Sequence, residues 1–247
     1  MRRAASLLLL AAAAGAGELD AAQDAVRKAA DAVRPSVVTV LTPSDRDFDL
    51  TGVAIAPGGV VLTVRSLLLK DGRLPDTVPV RFPGKGSTLD AELLDEDEST
   101  DTAIYKASGS RTRAVSAARA DDVRHGMWVL LVGNTFGAGR ESMPALSLGV
   151  VSAIVRRGDA VEAFHTSALV NPGSVGAPLV DLSGDLVGIA LPQITGDGLQ
   201  TIVMPFDRIR GAYRAKGGKG ASAVGRPPPP RRSRGHIADM LGAVLED

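Results

Sequence analysis

Between residues 36 and 206 the apolar positions come in short runs, with no long stretch at helical spacing. Glycine, proline and charged residues break the runs apart. Runs rich in β-branched and aliphatic residues predict strands at Ser36–Leu41 and on both flanks of Pro57-Gly58-Gly59 within Thr51–Thr63. The same reasoning predicts strands at Val78–Phe82, Leu89–Leu94, Ala103–Lys106, Trp128–Val132, Leu148–Val155, Leu186–Ala190 and Thr201–Met204. The Pro57-Gly58-Gly59 step is a hairpin signal. Many short strands separated by turn residues predict an all-β barrel or sandwich.

The ends of the chain are patterned differently. Met1–Gly17 sets Arg2 and Arg3 before an apolar stretch, Leu7–Ala14, and closes on the small residues Ala14-Gly15-Ala16. That is the pattern of a cleaved secretory signal peptide, and the apolar run is too short to span a bilayer. It predicts an exported protein, periplasmic or extracellular. Residues 18–34 place Val26, Ala29, Ala30 and Val33 on one stripe, so a short amphipathic helix is expected, stopped by Pro35. From Arg208 to Gly235 the chain carries nine arginines and lysines, no acid, and the run Pro227–Pro230. An extended or polyproline linker is expected there, with weak attraction to anionic surfaces. His236–Asp247 ends the chain as a short helix with Ile237, Met240, Leu241 and Leu245 on one face. The resulting partition is a leader over 1–17, a helix over 18–34, a β-domain over 35–210 and a basic tail over 211–247.

Composition narrows the chemistry. The 247 residues suit one β-domain, and 45% apolar content supplies a core. Aromatics make up only 3%, so that core is expected to be aliphatic. A formal net charge of zero gives no whole-surface attraction to nucleic acid. The absence of cysteine removes disulfides, thiol catalysis, Cys-ligated zinc and a lipid-modified anchor. His125, His165 and His236 are too scattered to suggest a metal cluster, and no cofactor is expected.

One stretch organises the rest. Leu169–Val180 reads L-V-N-P-G-S-V-G-A-P-L-V. It resembles the nucleophile turn of trypsin-like serine proteases of the HtrA/Deg branch, N-P-G-N-S-G-G-P-L-V. Asn171, Pro172, Gly173, Gly176, Pro178, Leu179 and Val180 match it, and the nucleophile slot falls on Val175. Gly59–Leu68 lies on the frame G-x-I-L-T-N-x-H-V-V, which puts Ser66 in the histidine slot. Asp101-Thr102-Ala103-Ile104-Tyr105 fits D-x-A-V-L and puts Asp101 in the carboxylate slot. A second reading of Asp101 is an ordinary strand-start residue in an acidic run. Gly133-Asn134-Thr135-Phe136-Gly137, Gly184–Ile189 and Val203-Met204-Pro205 match further segments in the same order, so the resemblance covers Pro35 to Arg210.

The resemblance implies two six-stranded Greek-key β-barrels with the site in the cleft between them. It assigns the backbone N–H groups of Gly173 and Val175 to an oxyanion-hole-like position, and Leu169, Ser174 and Gly176 to the pocket. Val175 and Leu169 would give that pocket an apolar floor for a small apolar side chain. Acyl transfer needs a nucleophile, a base and an orienting carboxylate, and here only Asp101 is retained. The expected function is therefore that of a secreted trypsin-like homologue without catalysis, a pseudoprotease binding a peptide or protein. Two alternatives stand beside it. One is an active serine endopeptidase with displaced groups such as Ser174 and His165. The other is an envelope-tethered scaffold. The stretch after Pro205 is short for the PDZ domain usual in that branch, so none is expected.

Overall fold

In the computed structural model, which describes residues 19–42, 48–84, 88–110, 112–134, 144–192 and 201–225, the apolar runs pair into two closed antiparallel barrels. The first holds β1 (Val37–Val40), β2 (Leu50–Ala56), β3 (Val60–Val64), β4 (Thr77–Arg81), β5 (Thr88–Asp97) and β6 (Thr102–Ala107), in the order β1-β2-β3-β6-β5-β4. The second holds β7 (Trp128–Gly133), β8 (Ala145–Arg157), β9 (Ala160–Thr166), β10 (Pro178–Asp181), β11 (Leu186–Ala190) and β12 (Thr201–Pro205), in the order β10-β11-β12-β9-β8-β7. Pairing of β1 with β4, and of β10 with β7, closes each ring. The double-barrel expectation holds. The leader, the Thr135-Phe136-Gly137 part of the glycine turn, Pro227–Pro230 and His236–Asp247 lie outside the described residues.

Burial explains why the strands read as apolar runs rather than alternations. Every residue of β3 and of β11 is buried, because both of their faces meet protein. At β4, by contrast, Val78 and Val80 point inward while Thr77 and Pro79 face solvent. The cores are largely aliphatic, but the scarce aromatics hold key places: Tyr105, Phe164 and Tyr213 are among the largest fully buried side chains. Two strands were not separately legible. β9 follows a tight turn at Gly158 (φ +60°), so β8 and β9 run on from one another in sequence. β10 is four residues long and begins with a proline, inside what reads as turn sequence.

The terminal helices cross over. α1, helical over residues 19–33, buries Ala29, Ala30 and Val33 against Leu130, Val132 and Val180 of the second barrel. The basic stretch from Arg208, expected as a linker, is instead folded through Ala223, as α2 (Phe206–Lys216) and α3 (Gly218–Ala223). The reason is an apolar stripe, Phe206, Ile209 and Tyr213, that the arginines obscure in the sequence; all three are buried. Tyr213 donates its hydroxyl to the Thr102 carbonyl of the first barrel at 3.0 Å. Lys216 pairs with Asp95 at 3.2 Å, and the Gly220 amide donates to the same carboxylate at 3.2 Å. A Cβ at Gly220 would lie 2.4 Å from both Asp95 and Tyr213, so the helix pair sits hard against β5. Among the described residues no helix is long and apolar enough to cross a membrane.

Candidate functional site

The three slots come from three chain segments, which the barrels hold in two neighbourhoods. Asp101 lies on the turn between β5 and β6, with φ +51°, a left-handed conformation that an aspartate tolerates better than most residues. Its carbonyl accepts from the Arg65 amide at 3.0 Å. Its carboxylate accepts from the Ser66 amide at 2.8 Å and from the Ser66 hydroxyl at 2.7 Å. The structure thus brings Ser66 and Asp101 together, with the serine donating through both its amide and its hydroxyl. Arg65 turns away to Glu96, Nε to Oε2 at 2.5 Å. Burial pushes the Asp101 carboxyl above its ordinary range, and the two Ser66 bonds and the nearby Arg65 charge offset that only in part.

The turn after Leu169 is built differently. Pro172–Ser174 forms one 3-10 turn capped reciprocally by Asn171. The Asn171 side chain accepts from the Ser174 amide at 3.1 Å, while Ser174 Oγ accepts from the Asn171 amide at 2.9 Å and donates to its carbonyl at 3.1 Å. Ser174 is 3% exposed, and both bonds of its hydroxyl go to Asn171. Val175 is 5% exposed and belongs to the apolar cluster that fills the first barrel and runs across to Leu186, Ile189 and Met204.

Thr51, at the start of β2, fastens this turn to the first barrel. Its amide donates to the Val175 carbonyl at 3.0 Å, and its hydroxyl to the Gly173 carbonyl at 2.7 Å. The same hydroxyl accepts from the Asn134 amide at 2.9 Å, and the Thr51 carbonyl accepts from Thr63 Oγ1 at 2.9 Å. Gly176 has φ +84°, and a Cβ there would lie 2.2 Å from the Thr51 carbonyl. Gly133 faces Ser174 and Ala177 so closely that a Cβ would come within 2.6 Å and 2.7 Å of theirs. The glycines of both motifs are therefore set by close backbone approach. Thr51 escaped the sequence reading. Its only signal was a polar residue opening an otherwise apolar strand.

The pocket residues separate. Gly173, Ser174 and Gly176 are buried, whereas Leu169 is 63% exposed, its amide held by Ser147 Oγ at 2.8 Å. The apolar floor expected of Val175 and Leu169 is not formed as such, since one side chain is sealed inside and the other stands at the surface. His125 meets the Ser152 carbonyl through Nε2 at 2.9 Å. His165 lies in β9, paired with Ala153 and Ile202. No group of three or more His, Cys, Asp or Glu residues placed to hold a metal occurs among the described residues.

Similar proteins agree with this architecture. The chain is 32% identical over 151 residues to a probable periplasmic serine endoprotease DegP-like of Ectopseudomonas mendocina (strain ymp), covering 60% of this chain and 30% of that one. It is 28% identical over 168 residues to serine protease HTRA1 of Xenopus tropicalis, covering 65% and 34%. The chain thus spans about a third of the length of these relatives. Among solved structures, an HtrA-type protease AlgW with tripeptide superposes with a TM-score of 0.62 at 26% identity, covering 74% of this chain and 60% of that chain. The family described as trypsin-like peptidase domain matches residues 50–189. With the paired barrels, that match makes the chain a member of the trypsin-like peptidase family, on its HtrA/Deg-like side.

Proposed function

We propose that this protein is an exported trypsin-like homologue that binds a peptide or protein segment without cleaving it. The observation that carries the reading is the state of the two slots on which acyl transfer depends. Val175 is an aliphatic side chain packed into the apolar cluster at the barrel junction, and the Ser66 hydroxyl donates a hydrogen bond to Asp101. A hydroxyl does not serve as a general base near neutral pH, and an alkane has no electron pair to attack a carbonyl. Removal of triad members from a working enzyme lowers the rate by roughly six orders of magnitude. On this reading the N–H groups of Gly173 and Val175 keep the outline of an oxyanion hole. The exposed Leu169 offers apolar surface at its mouth. The leader pattern of Met1–Gly17 and the periplasmic relatives support export.

The displaced-serine alternative draws no support from Ser174, whose hydroxyl closes the cap of its own turn. The test is intact-mass analysis of the purified protein after treatment with a fluorophosphonate. The expected result is no adduct on a sample that melts cooperatively. A stoichiometric adduct on any serine would overturn the proposal.

A further inference from the structure

The Asp101 carboxylate is half-buried, yet both of its side-chain hydrogen bonds come from neutral donors, the Ser66 amide and hydroxyl. Among the described residues it forms no ion pair. The nearest guanidinium, Arg65, is held by Glu96 and reaches Asp101 only through space. Burial outweighs the bonds and lifts the carboxyl above its ordinary range, so an anion there is under-compensated. A carboxylate offers about four lone-pair positions, and two are used. The Ser66 oxygen, whose hydrogen bonds to Asp101, keeps lone pairs that can accept.

Taking the cleft reading as given, we infer that the Ser66–Asp101 pair is a seat for a primary ammonium group of a bound polypeptide. In acyl transfer the residue in this slot faces the nitrogen of the leaving amine. A nitrogen entering the same place in this chain meets a hydroxyl backed by a carboxylate. An ammonium donates up to three hydrogen bonds as a compact point charge, which suits one hydroxyl oxygen and the free lone pairs of Asp101. A guanidinium suits the site less well. Its planar fork needs the open edge of a carboxylate, and that edge is taken by the Ser66 amide and hydroxyl. A peptide N–H is neutral and leaves the charge uncompensated. The surroundings favour a cation, because Glu96, Glu98 and Asp101 all act on the single guanidinium of Arg65.

The ammonium has two sources, a chain N-terminus and a lysine side chain, and three peptides of one apolar sequence separate them. The first carries a free N-terminal amine and no lysine. The second is N-acetylated and carries one lysine. The third is N-acetylated without lysine. Each is titrated calorimetrically into the full chain at neutral pH. At least one cationic peptide should bind about tenfold or more tightly than the neutral one, which is the worth of a charge-assisted bond. Whichever does so names the source. Asp101→Asn should bring that peptide close to the affinity of the neutral one, whereas Ser66→Ala, which removes one acceptor and keeps the carboxylate, should weaken it in part. Ser66→Ala alters only a half-buried hydroxyl, so it carries the test if Asp101→Asn does not melt cooperatively. Equal affinity for all three peptides, or no binding by any, overturns the inference. If that happens while the fluorophosphonate leaves no adduct, only this inference falls. An adduct brings down the cleft reading as well.

Discussion

The turn at Ser66–Asp101 and the turn at Pro172–Gly176 sit on different barrels and differ in what their side chains touch. The first is polar and half-open, with a carboxylate held by two donors of one serine. The second is closed: its valine lies in the apolar junction, its serine caps its own turn, and its carbonyls are held by Thr51. On the proposed reading, both occupy positions that acyl transfer would need. On that reading, the difference teaches that a nucleophile slot and a base slot filled by other residues leave unlike surroundings. The turn at Pro172–Gly176 is built on close backbone contacts, and the aliphatic Val175 completes a packing unit there. The turn at Ser66 is built around the Asp101 carboxylate, and any residue at position 66 must answer that carboxylate.

The contrast is sharpest in reactivity. Val175→Ser combined with Ser66→His should give a fluorophosphonate adduct, while either change alone leaves the intact mass unmodified under the same conditions, because nucleophile and base act as a unit. Absence of an adduct on a cooperatively melting double variant would mean that the sealed turn holds position 175 out of reach. Gly176→Ala comes next. With φ +84° and a carbonyl 2.2 Å from the new Cβ, it should cost at least about 3 kcal/mol or prevent folding. Gly72→Ala is the control, at φ +76° with nothing within 4 Å, and should cost about 1 kcal/mol by urea titration.

Thr51→Val should follow, lowering stability by about 2 kcal/mol. It strips a buried hydroxyl from the Gly173 carbonyl and the Asn134 amide. Ser66→Ala is the smallest, about 1 kcal/mol at neutral pH for one bond to a half-exposed carboxylate. Its sign with pH follows from the charge. The Ser66 hydroxyl stabilises the ionised form, so its removal raises the Asp101 pKa further. The deficit of the variant should be full above that pKa and shrink as acid protonates Asp101. Urea-unfolding free energies at neutral and acid pH check this, and a pH-independent deficit would contradict the assignment.

Much of this was legible in the chain. The hairpin at Gly58 and Gly59, the strand runs and the glycine turns carry their structural reasons in residue type, and the structure places them where those types suggest. Ser66 and Asp101, singled out on separate stretches of the sequence, meet through a hydrogen bond. What was not legible depended on long-range contact. Thr51 meets Gly173 across a separation of 122 residues, and nothing near position 51 announces it. The burial of Val175 and the exposure of Leu169 depend on how the junction closes, and hydrophobicity alone cannot rank them. α2 was hidden because its arginines dominate composition while three buried apolar side chains decide its fold.

The crossed terminal helices bear on how the protein is made. A ribosome releases the first barrel well before α2 and α3, which rest on β5 and β6 of that barrel. It also releases α1 before the strands of the second barrel that α1 covers. Neither half can therefore reach its final surroundings as it emerges, and completion waits for the last turns of α3. A chain paused or cut between Asp181 and Gly217 would already hold Leu130, Val132 and Val180, on which α1 packs, yet would leave the side of β5 that α3 covers open to solvent.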